Sequence, residues 1–272
     1  MNIKNLVTSA TGGAIYIAIV VLGVLGGQYA FAVVFGLFQI IALLEYYRIV
    51  EKGNLIKINK LLNIISGVII FSSLLFVPNY TLILISLFLL AQLSASIFSK
   101  KENSLQSAVY TLFGQLYITL PILLLTIIYT NDNLSKNIIL AIFIFIWIND
   151  TAAYLVGSIF GKHKLNERIS PKKTIEGFVG GIVLATSAAF LFARLMPEFP
   201  LWFWIGFGAI TSVVGTMGDL FESLIKRTYA VKDSGTLIPG HGGILDRIDS
   251  FLFAVMAIYL YLFVLFTQPS LW

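Results

Sequence analysis

Asp219, Glu222 and Lys226 stand at i, i+3 and i+7, and Asp246 and Asp249 at i and i+3. On helices each set shares one face. Carboxylates that converge repel one another unless a cation lies between them. Mg²⁺ suits such a place, because it takes hard oxygen ligands, often one or two carboxylates together with substrate phosphates. The plainer reading pairs each acid with a nearby Lys or Arg at a membrane interface. The run "DRID" at 246–249 tilts the balance toward a site.

The segment between these two acidic faces looks built for anions. Lys226, Arg227, Lys232 and Arg247 supply positive charge. Gly240, Gly242 and Gly243 let backbone N–H groups approach phosphate oxygens closely, and Pro239 stiffens the entry. His241, between glycines, can donate to a phosphate or move a proton near neutral pH; a structural hydrogen bond is the other reading. A second basic loop, "ISPKKTIEG", sets Ser170, Lys172, Lys173 and Thr174 just before a helix, with Glu176 in its first turn. Helix N-termini favour anions. An N-cap at Thr174 or Ser170 plus topology-setting lysines explains the charge of this loop, but not Glu176 or the nearby Asp150. Asp150 follows Asn149 inside an apolar helix and is expected to face away from lipid. Glu45 precedes another basic loop, where an interfacial ion pair with Arg48 at i+3 is the expected role.

The elements that must position these groups are membrane helices. The chain is 58% hydrophobic and 11% charged over 272 residues, against about 45–50% and about 25% in soluble domains. Apolar runs of roughly 20 residues, the length that crosses a bilayer, recur throughout. The expectation is an all-α, polytopic membrane protein with about nine transmembrane helices, near 6–25, 28–48, 61–77, 80–98, 105–129, 137–160, 174–195, 201–227 and 247–267. It reads as one integral membrane domain, 1–140 mainly scaffold and 141–272 catalytic. The N-terminal apolar run reads as a first helix that stays, since further spans follow at once. With no cysteine there is no disulfide, thiol nucleophile or thiolate metal site.

The loops alternate between short, nearly uncharged links and longer basic ones. Placing the N-terminus in the cytoplasm puts sixteen of the eighteen Lys and Arg residues on the cytoplasmic side, leaving Lys136 and Arg194 opposite. The net charge of +5 therefore reports topology, and nucleic acid is not an expected partner. Trp202 and Trp204 read as interfacial or packing residues.

Residues 223–249, "SLIKRTYAVKDSGTLIPGHGGILDRID", resemble the signature segment of the phosphatidate cytidylyltransferases, also called CDP-diacylglycerol synthases. Ser223, Lys226, Arg227, Lys232, Asp233, Pro239, His241, Gly242, Gly243, Asp246, Arg247 and Asp249 occupy its fixed positions. The likeness extends upstream through "GDLFES", "ISPKKTIEG" and "NDTAAYLVG"; before residue 140 only hydropathy and length agree. It implies transfer of a cytidylyl group from CTP to phosphatidate, with Mg²⁺ as cofactor, at the cytoplasmic face of the inner (plasma) membrane.

By the same resemblance Asp219, Asp246 and Asp249 would bind metal, and Lys226, Arg227, Lys232, His241 and Arg247 would hold phosphates. Asp150, Ser170, Lys172, Lys173, Thr174, Glu176, Ser223, Gly242 and Gly243 complete the expected substrate site. CTP as the nucleotide rests on the resemblance alone. Partners are CTP, phosphatidate and membrane lipids; the sequence does not fix the oligomeric state, and a homodimer is one it admits. The alternatives are an enzyme acting on another lipid phosphate or polyprenol, and an anion transporter with a midplane site. The clustering of charge toward one side speaks against transport.

Overall fold

In the computed structural model the described residues are 3–53, 56–99, 103–131, 136–237 and 242–267, with side chains described within these ranges from residue 11 to residue 266. Among them nine helical rods succeed one another. They are α1 (Ile3–Leu25), α2 (Gln28–Gly53), α3 (Lys60–Phe76), α4 (Thr81–Ile97), α5 (Ser104–Thr130), α6 (Asn137–Phe160), α7 (Ile175–Leu195), α8 (Leu201–Thr228) and α9 (Leu245–Thr267). Seven are long and apolar enough to cross a membrane; α3 and the part of α1 whose side chains are described, Thr11–Leu25, are shorter apolar stretches. The chain is a polytopic, essentially all-helical membrane protein. A two-stranded antiparallel hairpin, β1 (Lys164–Asn166) and β2 (Ser170–Thr174), departs from the expected plain loop. Asn166 Oδ1 accepts the N–H of Ile169 and closes its turn locally.

The chain divides into two compact units, one of residues 1–136 with 226–247 and one of residues 137–225 with 248–272. The sequence suggested a scaffold up to residue 140 and a catalytic remainder. In this division Lys226–Arg247 groups with the N-terminal helices, and Ser234, Ile244 and Leu245 bond to Glu45 of α2.

In the first unit α2 is the central rod. Phe31, Phe35, Ala42, Leu43, Tyr46, Tyr47 and Val50 are all buried, and Phe31 stacks on Tyr129 of α5. An unpaired polar group away from water costs several kcal/mol in order of magnitude, so the buried amides form a chain. Gln39 Nε2 donates to Thr119 Oγ1 at 2.8 Å, Thr119 to Gln115 Oε1 at 2.6 Å, and Gln115 Nε2 to the Asn63 carbonyl at 2.7 Å. Gln115 and Thr119 bound a π-helical turn that interrupts α5, a rare form found mostly as a single turn within α-helices.

In the second unit α6 and α7 pack along a seam of small residues. A Cβ on Gly177 would stand 2.7 Å from the Ala153 carbonyl, and one on Gly181 2.7 Å from Asn149 Oδ1. Only glycine admits this approach, the close packing that small-xxx-small seams permit in membranes. An aromatic cluster of Phe145, Phe192, Trp204 and Phe207 fills the space between α6, α7 and α8. Trp204 is fully buried there, as a packing residue, whereas Trp202 is 46% exposed. Phe143 of α6 stacks on Phe251 of α9 at 4.1 Å.

Candidate active site

The close seam has a chemical consequence. It brings the middle of α6 against the hairpin and the start of α7, where Thr174 caps the helix by accepting the Gly177 N–H at 3.1 Å. Between these elements and α8 lies a cavity of about 400 Å³. Its polar lining includes Asn149, Asp150, Lys172, Lys173, Thr216 and Asp219; its apolar wall includes Ala153, Tyr154, Leu165 and Phe178. Lys173 Nζ reaches Asp219 Oδ2 at 2.5 Å, an ion pair between the hairpin and α8. Asn149 Nδ2 donates to Thr216 Oγ1 at 3.3 Å and ties α6 to α8. Such a space can take a phosphate-bearing group against cations, with an apolar portion along the aromatic wall.

Asp150, Lys172, Lys173, Thr174 and Asp219, chosen from the sequence, all line this cavity. Ser170 and Glu176 do not. Ser170 sits opposite Asn166 in the hairpin ladder. Glu176 accepts the N–H groups of Lys162 and His163 and meets His163 Nδ1 at 2.6 Å. It staples the end of α6 to the start of α7, so its contact with the site is indirect. Ser223 donates to Asp219 Oδ1 at 3.4 Å, one turn along α8.

The signature residues of the first unit form a different arrangement. Lys226 Nζ bonds Asp246 Oδ1 at 2.6 Å, with the two side chains 11% and 8% exposed. Asp246 Oδ2 accepts the Ser234 N–H at 3.0 Å and the Gly243 N–H at 2.7 Å, with Ser234 Oγ 2.9 Å away. Lys232 and Arg247 are exposed, and Arg227 Nη1 reaches the Val231 carbonyl at 3.5 Å. His241 lies outside the described residues, as do Pro239 and Gly240. In the second unit Asp249 is buried, with Oδ1 accepting the Ser250 N–H at 2.7 Å.

These surroundings bear on a divalent cation. Among the described residues no group of three or more His, Cys, Asp or Glu side chains is placed to hold one. Asp219 points its carboxylate at a cation already, the Lys173 ammonium, and shares the cavity with a second hard-oxygen donor, Asp150. That donor chemistry fits Mg²⁺ completed by substrate phosphates. Asp246 already accepts Lys226 on Oδ1 and Ser234 and Gly243 on Oδ2, so much of its acceptor capacity serves groups of the protein itself.

The sequence matches the cytidylyltransferase family over residues 8–265. The chain belongs to that family. Among its relatives, the phosphatidate cytidylyltransferase of Staphylococcus aureus (strain COL) is 40% identical over 166 residues, 60% of this chain and 62% of the relative. That of Staphylococcus saprophyticus is 41% identical over 165 residues, with the same coverage. That of Staphylococcus haemolyticus is 38% identical over 164 residues. The chain thus aligns with somewhat less than two thirds of the length of these curated relatives.

For a member of the cytidylyltransferase family, three residues of these arrangements escaped sequence reasoning. Thr216 lies one turn before Asp219, and its apolar-helix setting gave no signal. Ser234 sits inside the signature segment, but nothing local marks its hydroxyl. Glu45 was expected to pair with Arg48 at the interface. It is instead 3% exposed and accepts hydrogen bonds from Ser234 and from the start of α9, because a carboxylate is well placed at a helix N-terminus.

Proposed function

We propose that this protein is a phosphatidate cytidylyltransferase. A phosphate oxygen of phosphatidate attacks the α-phosphorus of CTP, the bond to the β-phosphate breaks, and pyrophosphate leaves with the electron pair. The product is CDP-diacylglycerol. The observation that carries this reading is the cavity in which Lys172, Lys173, Asp150 and Asp219 face an apolar and aromatic wall. An anionic headgroup on an apolar body matches that division, and so does a reaction dominated by positioning and charge neutralisation. The 38–41% identity to proteins named for this activity supports the same reading.

In this reading Lys172 and Lys173 hold phosphates, and Lys173 exchanges Asp219 for substrate as it binds. Lys226, Arg227, Lys232, His241 and Arg247 serve the remaining phosphate charge. Mg²⁺ would be held by Asp219, with Asp150 on the same cavity; family resemblance implies Asp246 and Asp249 as the further carboxylates. When bound it supplies neutralisation of the charge that develops on the phosphates. CTP arrives from the cytosol and phosphatidate from the lipid. The sixteen-to-two division of basic residues supports a site that faces the cytoplasm, and the family resemblance implies the plasma membrane.

Purified protein in detergent–lipid micelles with labelled CTP, phosphatidate and Mg²⁺ tests the proposal. The expected result is labelled CDP-diacylglycerol with one pyrophosphate released per transfer. Label passing to another lipid phosphate or a polyprenol in preference to phosphatidate, or no Mg²⁺-dependent label in lipid, overturns it.

A further inference from the structure

Glu45 is a carboxylate buried in α2, 189 residues before Ser234 in the chain. Its Oε1 accepts the Ile244 N–H at 3.1 Å, and its Oε2 accepts the Leu245 N–H at 2.8 Å and the Ser234 hydroxyl at 3.0 Å. The Ser234 hydroxyl also lies 2.9 Å from Asp246 Oδ2. It has one proton, so it bridges the two carboxylates and donates to one at a time. Through Asp246 the chain of contacts ends at the Lys226 ammonium.

The glycines of the segment are shaped around these carboxylates. A Cβ on Gly235 or Gly243 would run into Glu45, and one on Gly242, at φ +82°, into Asp246. The N–H groups of Gly243, Ile244 and Leu245 are therefore spent on the protein's own acids. The start of α9 holds an internal anion, and the Gly243 N–H, which reads from sequence as a place for substrate phosphate, goes to Asp246.

We infer that Glu45 is a positioning residue for the transfer. It fixes Ser234 and the first turn of α9, and through them the orientation of Asp246 toward Lys226, without touching substrate. Phosphate contacts in this segment then draw on side-chain cations and not on the N–H groups of Gly243, Ile244 and Leu245. The inference rests on the proposed cytidylyl transfer only in taking Lys226 and Asp246 to serve it.

The test uses the full chain with Glu45→Gln, Ser234→Ala and the double substitution. Glu45→Gln keeps the shape but sets an amide donor against existing donors; Ser234→Ala removes the bridge and leaves the packing almost intact. Each is expected to lower kcat per folded molecule by about 10- to 100-fold, as loss of a group that orients a site residue does, with a much smaller change in KM for CTP. Because both act along one chain of contacts, the double variant should lose about as much as the worse single variant. A purely structural role would lower folded yield or melting temperature and leave kcat per folded molecule unchanged, and that result overturns the inference. So does a fully multiplicative loss in the double variant. A second readout needs no turnover. Lys226, 11% exposed in the wild type, should react faster with an amine-directed reagent in both single variants below their melting temperatures. Unchanged Lys226 labelling overturns the inference even if the wild type transfers no cytidylyl group to phosphatidate, an outcome that would count against the proposed activity alone.

Discussion

Gly177→Ala adds one methyl group where α7 crosses α6. The new Cβ would lie 2.7 Å from the Ala153 carbonyl oxygen and 3.1 Å from Gly157 Cα. Both neighbours are backbone, so neither can rotate away, and the first contact is about 0.7 Å shorter than ordinary van der Waals separation. The helices must part by a comparable distance. Overpacking of this kind costs about 1–3 kcal/mol, offset in part by about 1 kcal/mol of helix propensity. The larger effect should fall on chemistry. Asn149 and Asp150 ride on α6 while Lys172, Lys173 and Thr174 lead into α7, so parting the helices widens the cavity between its polar groups. A misplacement approaching 1 Å can cost about a hundredfold in rate. The assay is CDP-diacylglycerol formation per folded molecule, with thermal unfolding followed in the same detergent. Gly13→Ala is the control, since nothing lies within 4 Å of its added Cβ. If Gly177→Ala matches the wild type in both turnover and melting temperature, the seam does not set the cavity and the reasoning fails.

Replacing Lys172 and Lys173 together by Gln should raise KM for CTP by about tenfold or more, the cost of losing charged hydrogen bonds, while protein abundance stays level; an unaltered KM would return both lysines to a topology role. Asp246→Asn should lower the melting temperature as well as turnover, since it breaks a largely buried pair with Lys226, a loss of about 3–5 kcal/mol when one partner is removed; unchanged thermal unfolding would show the pair to be dispensable. Asp219→Asn removes only a partly exposed pair with Lys173, so its melting temperature should hold while the Mg²⁺ concentration for half-maximal activity rises; an unshifted Mg²⁺ dependence refutes metal binding there. Single cysteines at Lys136 and Lys164, which flank the 24-residue α6, should label from opposite faces of sealed vesicles, the second from the cytoplasmic face; labelling from one face would refute the orientation.

The sequence by itself determined the helices and the chemical character of their links. Burial in lipid demands about 20 apolar residues and a closed set of backbone hydrogen bonds, and both are local properties. The nine rods accordingly begin and end within a few residues of the hydropathy reading, and Thr174 caps α7 as its position suggested. The approach of Asp150, Lys172, Lys173 and Asp219 was legible in part, because each is a polar residue that an apolar helix or its end must shelter. Only the tertiary structure decided partners. It set Lys173 on Asp219, turned Glu176 to the N–H groups of Lys162 and His163, and folded a loop into a hairpin. It also surrounded Asp246 with Lys226, Ser234 and Gly243. Glu45 is the clearest case: beside Arg48 in sequence it reads as an interfacial ion pair, yet its bonds go to residues 189 to 200 positions away. Spacing along a helix fixes which side chains share a face, but which distant donor meets that face depends on how the rods pack.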